Sequence, residues 1–339
     1  MKAAIIGTRY AGKTTLFQLL THASSHAGQG MFSGVGEWIL RDPAVEDLQR
    51  LMGSARTGFP ALEVYDFEGF GKMWNEEKAG LVFSHLQGFD LLIHLINGVT
   101  QDPVEDFETV DLRMILTDLD SAERIRKRIT KEIQAGKRDA KLGDLLDRCI
   151  EALESNRPLS SLSLSPSERK QLKGFGFVTL LPRLWVLNVE EGGRYASFVQ
   201  MLSDRGLLGL EFNVALETEL LDMDPSEQGE IRQAYGFEED PWKKVLPLVK
   251  QTLQLMTFYT ANEREARAWL VHEGATAIDA AATIHKDLAE GFIKAEIVAF
   301  EDLLAAGSWK EARDKGKVRI VGKDHPIADR DVILIRFRG

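Results

Sequence analysis

The chain has 339 residues, more than one average domain, so burying two or three cores raises no surface-to-volume problem. With 44% hydrophobic and 28% charged residues it lies far from the low-hydrophobicity, high-charge range of disordered chains. Its 42 Lys and Arg against 52 Asp and Glu leave a net charge of -10, which argues against a protein that coats nucleic acid with its whole surface.

The first predicted element is a short apolar strand over 2–6. It runs into Gly7-Thr8-Arg9-Tyr10-Ala11-Gly12-Lys13-Thr14 and then into the amphipathic stretch Thr15-Leu16-Phe17-Gln18-Leu19-Leu20. Strand, glycine-bounded loop, helix is the order that a phosphate-binding loop requires. Glycines let backbone N–H groups turn inward around phosphate oxygens, and the helix N-terminus adds positive potential. Lys13 is placed to reach the β- and γ-phosphates, and Thr14 to offer a hydroxyl to Mg²⁺. The expected phosphate contacts are therefore Gly7, Tyr10, Ala11, Gly12, Lys13, Thr14 and Thr15.

About fifty residues later a second apolar strand, over 61–65, ends in Asp66-Phe67-Glu68-Gly69. In P-loop proteins such an Asp holds Mg²⁺, usually through water, and the glycine amide meets the γ-phosphate, so Asp66 and Gly69 join the expected site. Phe70 follows, where many GTPases carry the glutamine that orients the attacking water. A phenylalanine side chain neither donates nor accepts a hydrogen bond. Either hydrolysis is slow and arranged by other groups, or the chain only binds nucleotide.

A third strand over 89–96 is almost continuously apolar, as a strand buried on both faces of a parallel sheet should be. His94 inside it is expected to be a hydrogen-bonded core residue. Next comes a helical insertion, in which Ile125, Ile129 and Ile133 make one apolar stripe and Leu142, Leu145, Leu146, Cys149, Ile150 and Leu153 another. Gly136 lies in the polar break between them, which predicts an antiparallel helical hairpin. Its first arm carries eight basic residues from Arg124 to Lys141 against Glu132 and Asp139. Such an arm is either a phosphate-contacting surface or a solvated helix face, and the composition leaves both open. Cys149, the single cysteine, is expected to be a packed core thiol; it excludes an internal disulfide and fits a reducing compartment. A capping box, Ser165-Pro166-Ser167-Glu168, opens a later helix.

The fourth strand, over 184–187, leads to Asn188-Val189-Glu190-Glu191. GTPases carry Asn-Lys-x-Asp here, with the Asp on guanine donors. The lysine position is Val189 and the acidic position Glu191, one methylene longer, which argues against guanine preference. From about Phe258 the pattern changes to a helix over 277–285 and strands over 293–300, 317–322 and 331–337, a small α+β unit. His285 is expected on a helix surface or at a cap. No apolar run approaches the roughly 18 residues needed to span a bilayer, and 1–7 do not form a signal peptide core. The expected location is the cytoplasm, with no membrane partner.

Taken together, these motifs resemble the YchF / Obg-like ATPase family. The resemblance is carried by the phosphate loop, Asp66-Phe67-Glu68-Gly69, Leu119-Asp120-Ser121-Ala122-Glu123-Arg124 and Asn188-Val189-Glu190-Glu191-Gly192. Phe258-Tyr259-Thr260-Ala261, Arg267-Ala268-Trp269 and Gly274-Ala275-Thr276-Ala277 add to it, as does the long match from His285 to Glu296. It covers nearly the whole chain and is weakest between about 22 and 60.

The resemblance implies an α/β P-loop NTPase with a Ras-like G domain over 1–112 and 179–256, a helical coiled-coil insertion over 113–178, and a C-terminal α+β β-grasp domain of TGS type over 257–339. It implies binding of ATP as well as or better than GTP, with Mg²⁺ held by Thr14 and Asp66, and association with the ribosome or RNA through the basic arm and the TGS-like domain. Asn188 and Glu191 map onto the family's variant base motif with Val189 between them, Phe70 onto its hydrophobic replacement of the catalytic glutamine, and Ala215 onto its last base-contacting loop.

Two departures stand out. The family's Asn-Val-Gly-Lys-Ser becomes Tyr10-Ala11-Gly12-Lys13-Thr14, which keeps lysine and hydroxyl. Its switch I Thr-Ile-Glu-Pro-Asn is missing, and Ser33 is the one hydroxyl nearby. The resulting expectation is a slow, Mg²⁺-dependent ATPase or GTPase with a ribosome-linked role. The alternative is a nucleotide-gated RNA- or ribosome-binding module with little or no hydrolysis. No catalytic residue is assigned, and a monomer is favoured because the insertion sustains too few heptads for a coiled-coil dimer.

Overall fold

The structure is a computed structural model and describes residues 1–22, 26–28, 32–67, 85–237 and 239–338. It divides the chain into two compact units, Met1–Trp38 with Leu62–Lys244, and Ile39–Ala61 with Val245–Gly339.

The first unit is built on a seven-stranded sheet of order β2-β3-β5-β1-β6-β7-β8. Its strands are β1 (Lys2–Ile6), β2 (His26–Ala27), β3 (Phe32–Ile39), β5 (Ala61–Phe67), β6 (Leu91–Asn97), β7 (Arg183–Asn188) and β8 (Leu208–Phe212). β1 pairs in parallel with β5 and β6, and β6, β7 and β8 continue in parallel, whereas β2 and β3 form an antiparallel pair at one edge. All seven residues of β6 are buried, as its almost continuously apolar sequence predicts. Helix α1 (Lys13–Thr21) follows β1, and α6 (Ala196–Asp204), α7 (Val214–Leu220) and α8 (Pro225–Ala234) follow β7 and β8. Such a parallel sheet gathers the loops at its carboxyl ends, where ligands of open α/β sheets bind.

Helix α3 (Pro103–Gln134) starts under an Asp102 cap with Pro103 at its first position and runs unbroken for 32 residues, about 48 Å. It therefore passes through the domain boundary expected at 112. Nothing interrupts the sequence there: Phe107, Val110 and Met114 face the sheet side, and Ile115, Ala122 and Ile129 continue into the core shared with α4 (Ala140–Glu154). The hairpin turn falls where Gly136 allows a left-handed φ of 69°. Cys149 is buried among Leu145, Leu146 and Leu153, as expected. The capping box at Ser165 forms in full and opens α5 (Pro166–Lys173).

The second unit has a six-stranded sheet of order β12-β11-β13-β9-β10-β4. Its strands are β4 (Arg56–Gly58), β9 (Leu255–Ala261), β10 (Glu265–His272), β11 (Phe292–Ala299), β12 (Arg319–Val321) and β13 (Asp331–Phe337). The segment 39–61, expected in the nucleotide-binding domain, belongs here instead. Its helix α2 (Pro43–Met52) places Ala44, Val45 and Leu48 on Tyr259, Val298 and Phe300, and β4 extends the sheet by parallel pairing with β10. The buried Asp42 caps α2 through Ala44 N (3.0 Å) and accepts the Tyr259 hydroxyl (2.8 Å). The other sheet face holds α10 (Ala277–Ile284) over Phe258, Ile297 and Ile333. The expected boundary at 256 also moves, because α9 (Trp242–Leu253) already carries the chain into this unit and β9 starts at Leu255.

Candidate functional site

The loop between β1 and α1 is shaped by its two glycines. At Gly7, φ is 154° and a built Cβ would lie 2.3 Å from Leu95 O, so no side chain fits between β1 and β6. Gly12 caps α1 at φ 99°, and a Cβ there would meet Asn188 Nδ2 at 3.0 Å. Between them Tyr10, 76% exposed, is held at φ 67°, and its ring lies under the Arg9 guanidinium at 4.6 Å. Lys13 Nζ donates to Thr8 O at 2.6 Å, which folds the ammonium back over the loop.

Asp66, near the end of β5, is 2% exposed. Its Oδ2 accepts the Thr14 hydroxyl at 2.7 Å and the Ser33 hydroxyl at 2.5 Å. The predicted metal residues Thr14 and Asp66 are thus brought together, with Ser33 beside them. Two hydroxyls and a carboxylate oxygen are hard oxygen donors, the set that suits Mg²⁺ when the nucleotide and water supply the remaining ligands. Thr15 is exposed in the first turn of α1. Gly69 and Phe70 lie outside the described residues, as do 29–31 of the switch I region.

On the other side of the loop, Asn188 at the end of β7 uses both ends of its carboxamide. Nδ2 donates to Ala11 O (3.0 Å), and Oδ1 accepts Val214 N (3.2 Å). Asn213 repeats the device: its side chain donates to Glu190 O and accepts Leu216 N, each at 2.8 Å. These bonds join the phosphate loop to the loops after β7 and β8. Val189 is buried, whereas Glu191, on the loop after β7, and Ala215, in the first turn of α7, stand exposed.

Sequence reasoning missed Asp106. Buried in the first turn of α3, it accepts the Thr8 hydroxyl and Asn97 N (3.0 Å), and burial raises its carboxyl above the usual carboxylate range. The signal available was an acidic residue four positions after the Asp102 cap, which reads equally well as a favourable charge at a helix N-terminus. A cavity of about 570 Å³ opens here, with Thr8, Tyr10, Glu105 and Arg113 in its lining. His94 is buried as expected and stacks on Phe107 at 5.4 Å, but neither ring nitrogen has a hydrogen-bond partner among the described residues. Desolvation, helped by the Arg183 charge, pushes its pKa well down and keeps the ring neutral. His285 caps a short helix through Asp287 N (3.2 Å).

On the basic arm, Arg124, Arg126, Arg128 and Arg138 pair with Asp120, Asp147 and Glu132. Lys127, Lys131, Lys137 and Lys141 are exposed and have no carboxylate within 4.0 Å among the described residues.

Comparison with known proteins agrees with this geometry. Residues 255–338 match the YchF-GTPase_C family model, described as a protein of unknown function (DUF933). The chain is 31% identical to the ribosome-binding ATPase YchF of Haemophilus ducreyi and 29% identical to that of Bacillus subtilis, with 99% of each chain covered in both cases. Its fold matches the YchF GTPase of Schizosaccharomyces pombe with a TM-score of 0.81 at 19% identity, over 99% of this chain and 97% of that one. This α/β P-loop chain with its separate C-terminal unit belongs to the YchF family.

Proposed function

We propose that the chain binds a nucleoside triphosphate together with Mg²⁺, hydrolyses ATP or GTP slowly, and acts with the ribosome in the cytoplasm as a monomer. The observation that supports the reading is the convergence of Lys13, Thr14 and Asp66 at the N-terminus of α1. Loop amides and Lys13 would hold the phosphates, and Thr14 and Asp66 the metal. When bound, Mg²⁺ neutralises charge on the β- and γ-phosphate oxygens. Val189, Glu191 and Ala215 would border the base. Asn188 would act on it through the two loops that it ties, because its own polar atoms are engaged by Ala11 and Val214.

The relatives' name, ribosome-binding ATPase, supports the ribosomal partner. We assign that contact to the four exposed lysines of the helical arm, Lys127, Lys131, Lys137 and Lys141, and to the C-terminal unit as a TGS-like module. A second reading, a nucleotide-gated binding module with little turnover, is favoured by Phe70 and by the missing switch I threonine. Calorimetric titration with ATP, GTP and their non-hydrolysable analogues, with and without Mg²⁺ and with Lys13→Ala as control, tests the first step. Binding that the Lys13→Ala control abolishes supports it, and absence of binding by any nucleotide overturns both readings. Phosphate release with and without ribosomes then separates the two.

A further inference from the structure

The phosphate site contains one hydroxyl that the assigned residues do not use. Ser33 opens β3, and its Oγ lies 2.5 Å from Asp66 Oδ2 and 3.4 Å from Asp66 O. The Thr14 hydroxyl meets the same Oδ2 at 2.7 Å. Two hydroxyls therefore converge on one carboxylate oxygen, and each can turn its O–H away and offer a lone pair instead. The separations of 2.5 and 2.7 Å are those of O–H···O⁻ hydrogen bonds, and they bring the three oxygens close enough together to face one cation.

The position of Ser33 is built into the strand. Gly34 and Gly36 press β3 against α1: a Cβ on Gly34 would come 2.5 Å from the Phe17 ring, and one on Gly36 2.8 Å from Thr21 Cβ. The Ser33 carbonyl accepts Gly28 N at 3.2 Å, which pairs this end of β3 with the chain beside β2. Side chains at 34 or 36 would force β3 off the helix that carries Thr14. Ser33 itself is exposed, while its partner Asp66 stays buried.

We propose that Ser33 supplies an oxygen to the Mg²⁺ of the bound nucleotide, the task of the switch I threonine that this chain lacks. The inference rests on reading the site as a Mg²⁺-nucleotide pocket. A hydroxyl on a strand held by pairing and close packing needs no loop closure to reach the metal. Mg²⁺ dependence should then be set largely at the binding step.

The test measures affinity for a non-hydrolysable ATP analogue in Mg²⁺ and in EDTA, for the native chain, Ser33→Ala, Ser33→Thr and Lys13→Ala, with thermal melts of each. The expected result is that Ser33→Ala lowers the Mg²⁺ enhancement of affinity at least fivefold and changes the EDTA value less than twofold. Ser33→Thr should restore most of the enhancement, and Lys13→Ala should weaken binding in both conditions. A Ser33→Ala chain that melts lower but keeps the full Mg²⁺ enhancement has lost only a β3–β5 tie, and the proposal fails while the nucleotide reading stands. A native chain that binds no nucleotide in either condition overturns both.

Discussion

Asn188 offers the sharpest separation between holding a ligand and holding the protein that holds the ligand. Replacing it with Ala deletes the bonds to Ala11 O and Val214 N, at 3.0 and 3.2 Å, and leaves a carbonyl of the phosphate loop and the first amide of α7 to find water. A part-buried hydrogen bond contributes about 1 kcal/mol net, so the pair should contribute about 2 kcal/mol to the alignment of the two loops. If binding requires that alignment, affinity falls by about thirtyfold, at 1.4 kcal/mol per factor of ten. Because the carboxamide is occupied by protein atoms, the loss should be the same for ATP and GTP within about twofold, and inorganic triphosphate should weaken too. Competition titrations of all three ligands on the native and Asn188→Ala chains give these ratios directly. A loss above tenfold for one nucleotide alone, with inorganic triphosphate unaffected, would show that Asn188 reads the base and would refute the scaffold argument.

Four further outcomes follow from the packing. Cys149 is fully buried and desolvation pushes its thiol up to about 11, so it should ignore a disulfide reagent at pH 8 in the native chain and react fully in denaturant. The Glu217 carboxylate, 2% exposed, accepts Arg232 Nε and Nη2 and Trp242 Nε1 at 2.8, 2.7 and 2.8 Å. Glu217→Ala strands the buried guanidinium and should destabilise the first unit by about 3–5 kcal/mol in urea unfolding. Tyr259→Phe leaves Asp42 short of one donor and should cost the second unit about 1–3 kcal/mol, read as faster hydrogen exchange at the α2 amides. Burial raises Asp118 from 3.8 to about 6 despite bonds from Val178 N, Thr179 N and the Thr179 hydroxyl. The folded state therefore holds more protons than the unfolded one between those values. The associated stability, on the order of 3 kcal/mol, is present below pH 4 and lost as pH rises to 6. Subtracting the Asp118→Asn pH profile from that of the native chain should reveal that slope, and parallel profiles would contradict it.

What could be read from the sequence was information that is local along the chain. The strand over 2–6, the Gly7-to-Thr14 loop and α1 declare themselves because residue type and spacing alone dictate the chemistry. The Ser165 capping box and the almost continuously apolar run of β6 are legible for the same reason. The placement of 39–61 was not legible. The amphipathic face of α2 announces that it will be buried, but Val45 and Leu48 pack equally well on any apolar sheet, and Tyr259, which receives them, lies some 210 positions away. The expected boundary at 112 falls inside α3, because a helix that is apolar on successive faces serves two cores without a break in pattern. At the site, Lys13, Thr14 and Asp66 came from spacing. The tie from Asp106 to Thr8 joins residues 98 positions apart, and only the fold brings them together.

The site is held by protein–protein bonds that span the carboxyl ends of five adjacent strands. The loop after β1 is tied to β6 through Thr8, Asp106 and Asn97, to β7 and β8 through Asn188, and to β5 through Thr14. A ligand entering such a frame loses less affinity to loop ordering than it would in a site assembled on binding. Affinity that is uniform between ground and transition state does not accelerate hydrolysis, however. Acceleration needs a group that acts on the attacking water or on charge developing at the γ-phosphate, and Phe70 offers neither a donor nor an acceptor for that work. The proposed reading therefore expects a chain that loads nucleotide readily and turns it over slowly, so that occupancy rather than flux is the quantity a ribosomal partner would sense. Phosphate release that accelerates by orders of magnitude on adding ribosomes would place the missing water-positioning group on the partner. Release that stays slow while ribosome binding follows nucleotide occupancy would mark the chain as a reporter of its bound ligand.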